Sequence, residues 1–239
     1  MQRILGYPSK AIVIALTFIC LSSGCSSHLK SDTRKQLAYQ NAVRAAQNLN
    51  VDDIYTELTA INGQNKNLIR DTLGRIKVVT WTNWSGYEKK LLDTLKIARS
   101  IWVTVAPQMK EACSSMRRGR NKPMRIRQWL GLPPDAEYTH FVEMYVHPDD
   151  IFRPCPDPGI TDRECELNFP GGLYAPADSA YMQVYSTLKA GTQGYPFTGL
   201  GYTYDWGNPR SKVGFSEFIV KDGAVAFISS VTPTEVYCN

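Results

Sequence analysis

The 239-residue chain has little of what catalysis and metal binding most often use: three histidines, His28, His140 and His147, and no Cys-x-x-Cys pair. Too few ligands stand at zinc spacings, so no metal site is expected. Gly-x-Ser-x-Gly is missing, which removes the hydrolase nucleophile elbow. Gly199-Leu200-Gly201 lacks a third glycine at dinucleotide-binding spacing and no phosphate loop occurs, so no cofactor is expected. The acidic loop lacks the alternating ligands of an EF-hand. No period repeats along the chain. Long apolar runs are scarce too: the longest, Ala11 to Leu21, has 11 residues, short of the length that crosses a bilayer of about 30 Å. With 43% hydrophobic and 21% charged residues, 14 Pro and 17 Gly, the composition excludes collagen, coiled coil and disorder, and leaves a chain long enough to bury a core.

Acidic residues are absent from the first 24 positions, where Arg3 and Lys10 precede the apolar run and Leu21-Ser22-Ser23-Gly24-Cys25 closes it. This segment resembles a bacterial lipoprotein signal peptide, with Leu21 one place earlier than the family prefers. The resemblance implies cleavage before Cys25, diacylglycerol on its sulfur and an acyl chain such as palmitate on its amino group. Several acyl chains together anchor stably where one does so marginally. Ser26, where inner-membrane lipoproteins often carry Asp, points to the outer membrane, facing the periplasm. The membrane is thus an expected partner through the N-terminal lipid, and nucleic acid is not.

Cleavage would leave 25 basic and 22 acidic residues, a formal +3 in place of +5. Charge is then local. Arg117, Arg118, Arg120, Lys122, Arg125 and Arg127 form a basic stretch, a candidate surface for an anionic envelope component or a protein partner. Asp149, Asp150, Asp157, Asp162, Glu164 and Glu166 form an acidic one. Four cysteines remain after Cys20 and Cys25, and an even number in an oxidising compartment suggests two disulfides among three connectivities. Pro156, Pro158 and Gly159 favour a return of the chain that joins Cys155 to Cys165, which leaves Cys113 for Cys238.

Three divisions are expected: a signal at 1–24, a lipid-proximal helical segment at 25–63 and an α+β domain at 64–239. Helical periodicity covers Asp32 to Leu49, and Val51-Asp52-Asp53 offers a cap for a helix through Ile61. Arg75 to Thr82, Ser100 to Val105 and Thr139 to His147 read as strands. Helices are expected over Ala106 to Met116, Met124 to Leu130 and Asp178 to Ala190. Phe215 to Val220 and Ala224 to Ser229, around Asp222-Gly223, read as a hairpin. The fold class is α+β: one globular domain with an antiparallel sheet and several short helices, stapled by disulfides.

Two places could hold chemistry. The stretch Gly194 to Pro209 carries Tyr202, Tyr204 and Trp206, whose rings could stack on a sugar or nucleotide or complete the core. The strand following it, Ser216-Glu217-Phe218-Ile219-Val220, resembles over about 30 residues the late strands of ADP-ribosyltransferases and NAD-glycohydrolases, without their paired Glu-x-Glu. That resemblance implies a catalytic Glu217 stabilising charge at a ribose. His147-Pro148-Asp149-Asp150 reads as an Asp-capped turn. No acid, base and nucleophile converge in the sequence, so the expectation is a lipid-anchored envelope protein that binds a ligand or partner. The alternatives are an exported enzyme acting on a nucleotide or sugar, and an immunity or inhibitor lipoprotein.

Overall fold

β-Branched residues alternating with polar ones build the strands of a strongly curved antiparallel sheet. In the computed structural model, which describes residues 31–117, 119–169 and 180–239, the strands are β1 (Ile76–Thr82), β2 (Thr94–Lys96), β3 (Ile101–Val105), β4 (His140–Val146), β5 (Ile151–Phe152), β6 (Tyr202–Tyr204), β7 (Val213–Ser216), β8 (Phe218–Val220) and β9 (Val225–Pro233). Seven form one sheet in the order β2-β9-β4-β1-β3-β8-β5, and β6 pairs with β7 outside it. Helices α1 (31–46), α2 (Ala106–Ser114), α3 (Lys122–Trp129), α4 (Ala180–Gly191) and α5 (Thr234–Tyr237) complete the α+β fold. None of the helices among the described residues is long and apolar enough to cross a membrane.

Both faces of the central strands are buried, as their patterns require. Val142, Met144 and Val146 of β4 point to a core shared with Ile76 and Val78 of β1, Val103 and Val105 of β3, and Phe218 and Val220 of β8. Phe141 of β4, with Val79 and Trp81 of β1, points the other way, beneath Met109, Ile126 and Tyr237 of the covering helices. Trp81 stacks on Phe141 at 5.7 Å and Phe141 on Tyr237 at 4.3 Å, so three rings from β1, β4 and α5 form one column. In α1, Tyr39, Ala42 and Ala46 recur at helical spacing and are buried, and Tyr39 and Ala42 cluster with Trp206.

The two expected disulfides are present, Cys155–Cys165 and Cys113–Cys238, with Cα separations of 6.3 and 5.0 Å. The first closes the acidic loop, and the second ties the C-terminus to the end of α2.

Two expectations are corrected. The helix through Ile61 is a single 3-10 turn, Val51–Asp53, because Leu58 N and Ile61 N donate to Arg163 O and Ile160 O of the acidic loop. Leu58, Ala60 and Ile61 are buried there in an extended run. The expected hairpin does not form either: β8 lies between β3 and β5, β9 between β2 and β4, and Glu217 separates β8 from β7. The Lys221–Ala224 turn exists, closed by Ala224 N to Lys221 O, with Gly223 at φ +82°. It joins strands four places apart in the sheet order, roughly 19 Å on a flat sheet at about 4.8 Å per strand. A tight turn cannot bridge that distance, so the sheet rolls until its margins approach the turn. Lys221 N reaches Asp150 O beside β5, and Ile97 N beyond β2 reaches Ala224 O. A bulge between β4 and β9 at Glu143 and Met144 adds to the twist.

Candidate ligand cleft

Strand β3 divides its pairing between two neighbours. Its end pairs with β1, Val105 with Val78 and Thr104 with Val79, whereas Ile101, Trp102 and Val103 pair with Val220, Ile219 and Phe218 of β8. Beyond Val79 the partners β1 and β3 separate. A cavity of about 890 Å³ lies there, walled by Trp81 and Trp102 of the strands and by Tyr195 and Phe197 of the segment after α4. Trp102 meets Phe197 edge to face at 5.7 Å. Trp84, Lys96 and Arg99 line the same cavity and are exposed, which places them at its rim.

Two polar side chains are set into this wall. Val79 and Thr104 are register partners, so Thr104 and Trp102 share the sheet face of Val79 and Trp81. Glu217 directly precedes Phe218, the partner of Val103, so it and Thr104 both lie where the β3–β8 ladder ends, and both line the cavity. Both are buried, at 5% and 6% exposure, and Thr104 Oγ1 and Glu217 Oε1 have no hydrogen-bond partner among the described residues. The backbone of Glu217 is tied, its N–H donating to Gly201 O at 3.0 Å.

Burial away from water disfavours the charged carboxylate and pushes Glu217 up to about 8. The phenol of Tyr185, on α4, is pushed up to about 12 by burial and secondly by the charge of Glu217. Gly199, at φ +60°, lets that phenol come close: a Cβ there would lie 2.6 Å from Tyr185 Oη. Glu217 and Thr104 are the buried, unpartnered polar groups of the cavity wall, which Trp102 and Phe197 also line.

The aromatic stretch is divided between packing and the cleft. Tyr202 is wholly buried and donates to Asp53 O, and Trp206 donates to Leu132 O and packs on Tyr39. Neither of these two rings lines the cleft, whereas Tyr204 does. Half of the basic stretch is engaged within the fold. Lys122 Nζ donates to Cys238 O, Arg125 clamps Asp205, and Arg127 donates to Ala136 O and lies over Trp81. Arg117 and Arg120 are exposed, and Arg118 and Cys25 lie outside the described residues. In the acidic loop, Arg153 is wholly buried and binds Asp162 and the carbonyls of Gly159, Glu164 and Thr59. His147 Nδ1 accepts from Asp149 N, capping a turn. No group of three or more His, Cys, Asp or Glu could hold a metal among the described residues.

Trp102 and Thr104 are site residues that sequence reasoning misses, whereas Phe197 falls within the aromatic stretch. The strand pattern at 101–105 does place Trp102 and Thr104 on one face, but nothing local says that this face meets Glu217. The described walls contain no imidazole and no thiol. They suit enclosing an apolar body and fixing one polar group more than assembling an acid, a base and a nucleophile. No family model, curated protein or solved structure matches the chain.

Proposed function

We propose that the chain is a lipid-anchored protein of the bacterial cell envelope, on the outer membrane facing the periplasm, whose α+β domain binds a small, mainly apolar molecule in the cleft beside β3. The cleft carries this reading: about 890 Å³, aromatic walls and two unpartnered polar atoms are the features of small-molecule sites. Anchoring rests on the sequence from Arg3 to Cys25. Saturation-transfer NMR of the mature domain with indole and 2-phenylethanol tests the cleft. Saturable, mutually competitive binding that weakens in Trp102→Ala is expected, and no transfer at millimolar fragment sinks the reading. Metabolic labelling with an alkyne palmitate tests the anchor: label is expected on wild type and lost in Cys25→Ser.

A second reading, an exported enzyme resembling ADP-ribosyltransferases or NAD-glycohydrolases, draws on the place of Glu217 in the wall. Glu217 is the sole carboxylate in the described walls and no imidazole stands beside it to act as a partner acid or base, so binding is preferred. NAD turnover by wild type that disappears in Glu217→Gln reverses the preference. An immunity or inhibitor role would rest on the exposed Arg117 and Arg120, and no geometric feature favours it.

A further inference from the structure

We propose that the ligand of this cleft carries a single amino group, protonated and seated between Glu217 Oε1 and Thr104 Oγ1, on a small aromatic or aliphatic body. This rests on the reading of the cleft as a binding site and names the chemical class it takes.

The two unpartnered atoms are oxygens of residues that line the same cavity, on β3 and at the β7–β8 junction, and both can accept hydrogen bonds. An ammonium is donor-only, with three N–H groups, and can serve both at once. Elsewhere, semi-buried acids already have their cations: Asp205 holds Arg125, and Glu143 has Lys77 at 3.4 Å. Glu217 has none among the described residues, and Trp102, Phe197 and Tyr204 line the same cavity. Ring faces attract a cation more strongly where water is excluded. Lys96 and Arg99 at the rim disfavour a second positive charge on the outer end of the ligand. A monoamine with an apolar body therefore fits better than a polyamine.

Binding carries a proton signature. The ammonium keeps its three protons, and the Glu217 carboxyl becomes a carboxylate by releasing its proton to solvent. A neutral or anionic ligand would release none.

The test is calorimetry at pH 7 on the mature domain in phosphate and in Tris, whose different ionisation enthalpies reveal proton release. Phenethylamine is the probe, and 2-phenylethanol, 3-phenylpropionate and 1,5-diaminopentane are its neutral, anionic and dicationic counterparts. Phenethylamine should bind about tenfold or more tightly than the alcohol, releasing most of one proton. Glu217→Gln should abolish both the preference and the release, and a cooperative unfolding transition at pH 7 shows that the variant folds. Thr104→Val should weaken the amine several-fold and leave proton release intact. Equal affinities for amine and alcohol, as expected if water merely bridges the two oxygens, overturn the proposal. So does amine binding without proton release, or binding unchanged in Glu217→Gln. If the alcohol binds and the amine does not, only the ligand class fails; if no probe binds, the cleft reading fails with it.

Discussion

Arg125 holds Asp205 by both ends, its two terminal nitrogens each 2.6 Å from a different carboxylate oxygen. The pair joins α3 to the chain after β6 across 80 residues, and the Asp205 side chain is only 2% exposed. The same guanidinium lies 4.7 Å from the centre of the Trp129 ring, and Asp205 Oδ1 also accepts from Gly207 N. A residue that sequence places in a basic surface is thereby part of the frame.

Removing one partner strands the other in a poorly solvated place. Asp205→Asn and Arg125→Met should each destabilise by about 3 to 5 kcal/mol in urea unfolding, and the double variant by clearly less than their sum. Simple additivity would mean that the pair does not act as a unit.

Glu217 should make stability fall with rising pH. Its carboxyl titrates near 8 folded and near 4.5 unfolded. Between these values the native state holds a proton that the unfolded state has lost, so the native state weakens as pH rises. The contribution is fully present below about 4.5, declines up to about 8 and changes no further above that. At about 1.4 kcal/mol per pH unit the loss is on the order of 5 kcal/mol. Tyr185 and Tyr202, the phenols that feel its charge, stay protonated throughout this range. Unfolding midpoints of wild type and Glu217→Gln from pH 5 to 9 should converge at the acid end and diverge in favour of the variant at the alkaline end.

Gly199 is tested by a double variant. Gly199→Ala puts a methyl group 2.6 Å from Tyr185 Oη and keeps a positive φ, so a loss of about 2 to 3 kcal/mol is expected. Adding Tyr185→Phe removes the clash and should recover part of that loss, leaving the backbone cost of about 1 kcal/mol. No recovery would place the cost elsewhere.

The two disulfides should differ in worth. Loop entropy assigns about 5 kcal/mol to Cys113–Cys238, whose cysteines are 125 residues apart, and about 3 kcal/mol to Cys155–Cys165, 10 apart. Guanidinium unfolding of the two paired Cys→Ser proteins checks the order, and peptide mapping without reductant checks the connectivity.

Sequence shows what is local. Alternation at 75–82, 100–105 and 139–147 reveals three strands and, for β4, which residues share a face. Turn residues between Cys155 and Cys165 reveal one disulfide and, by elimination, the other. Pairing across distance is a different matter. Asp222-Gly223 carries the turn chemistry of a hairpin, yet the strands on either side join different neighbours, because pairing is decided by residues far away in the chain. The cleft is hidden for the same reason: it arises where β3 leaves β1 for β8. Glu217 stands out in sequence as a carboxylate within a strand, but Thr104 comes to line the same cavity only through a register spanning more than 100 positions.

The place of β9 also constrains when the sheet can be completed. It lies inside the sheet, hydrogen-bonded to β4 on one side and β2 on the other, although it is built from residues 225 to 233 of 239. A chain that emerges N-terminus first therefore carries an unfilled slot between β2 and β4 until residues 225–233 arrive. The tail acts as a latch: β9 enters, α5 caps the aromatic column, and Cys238 seals the closed form against Cys113.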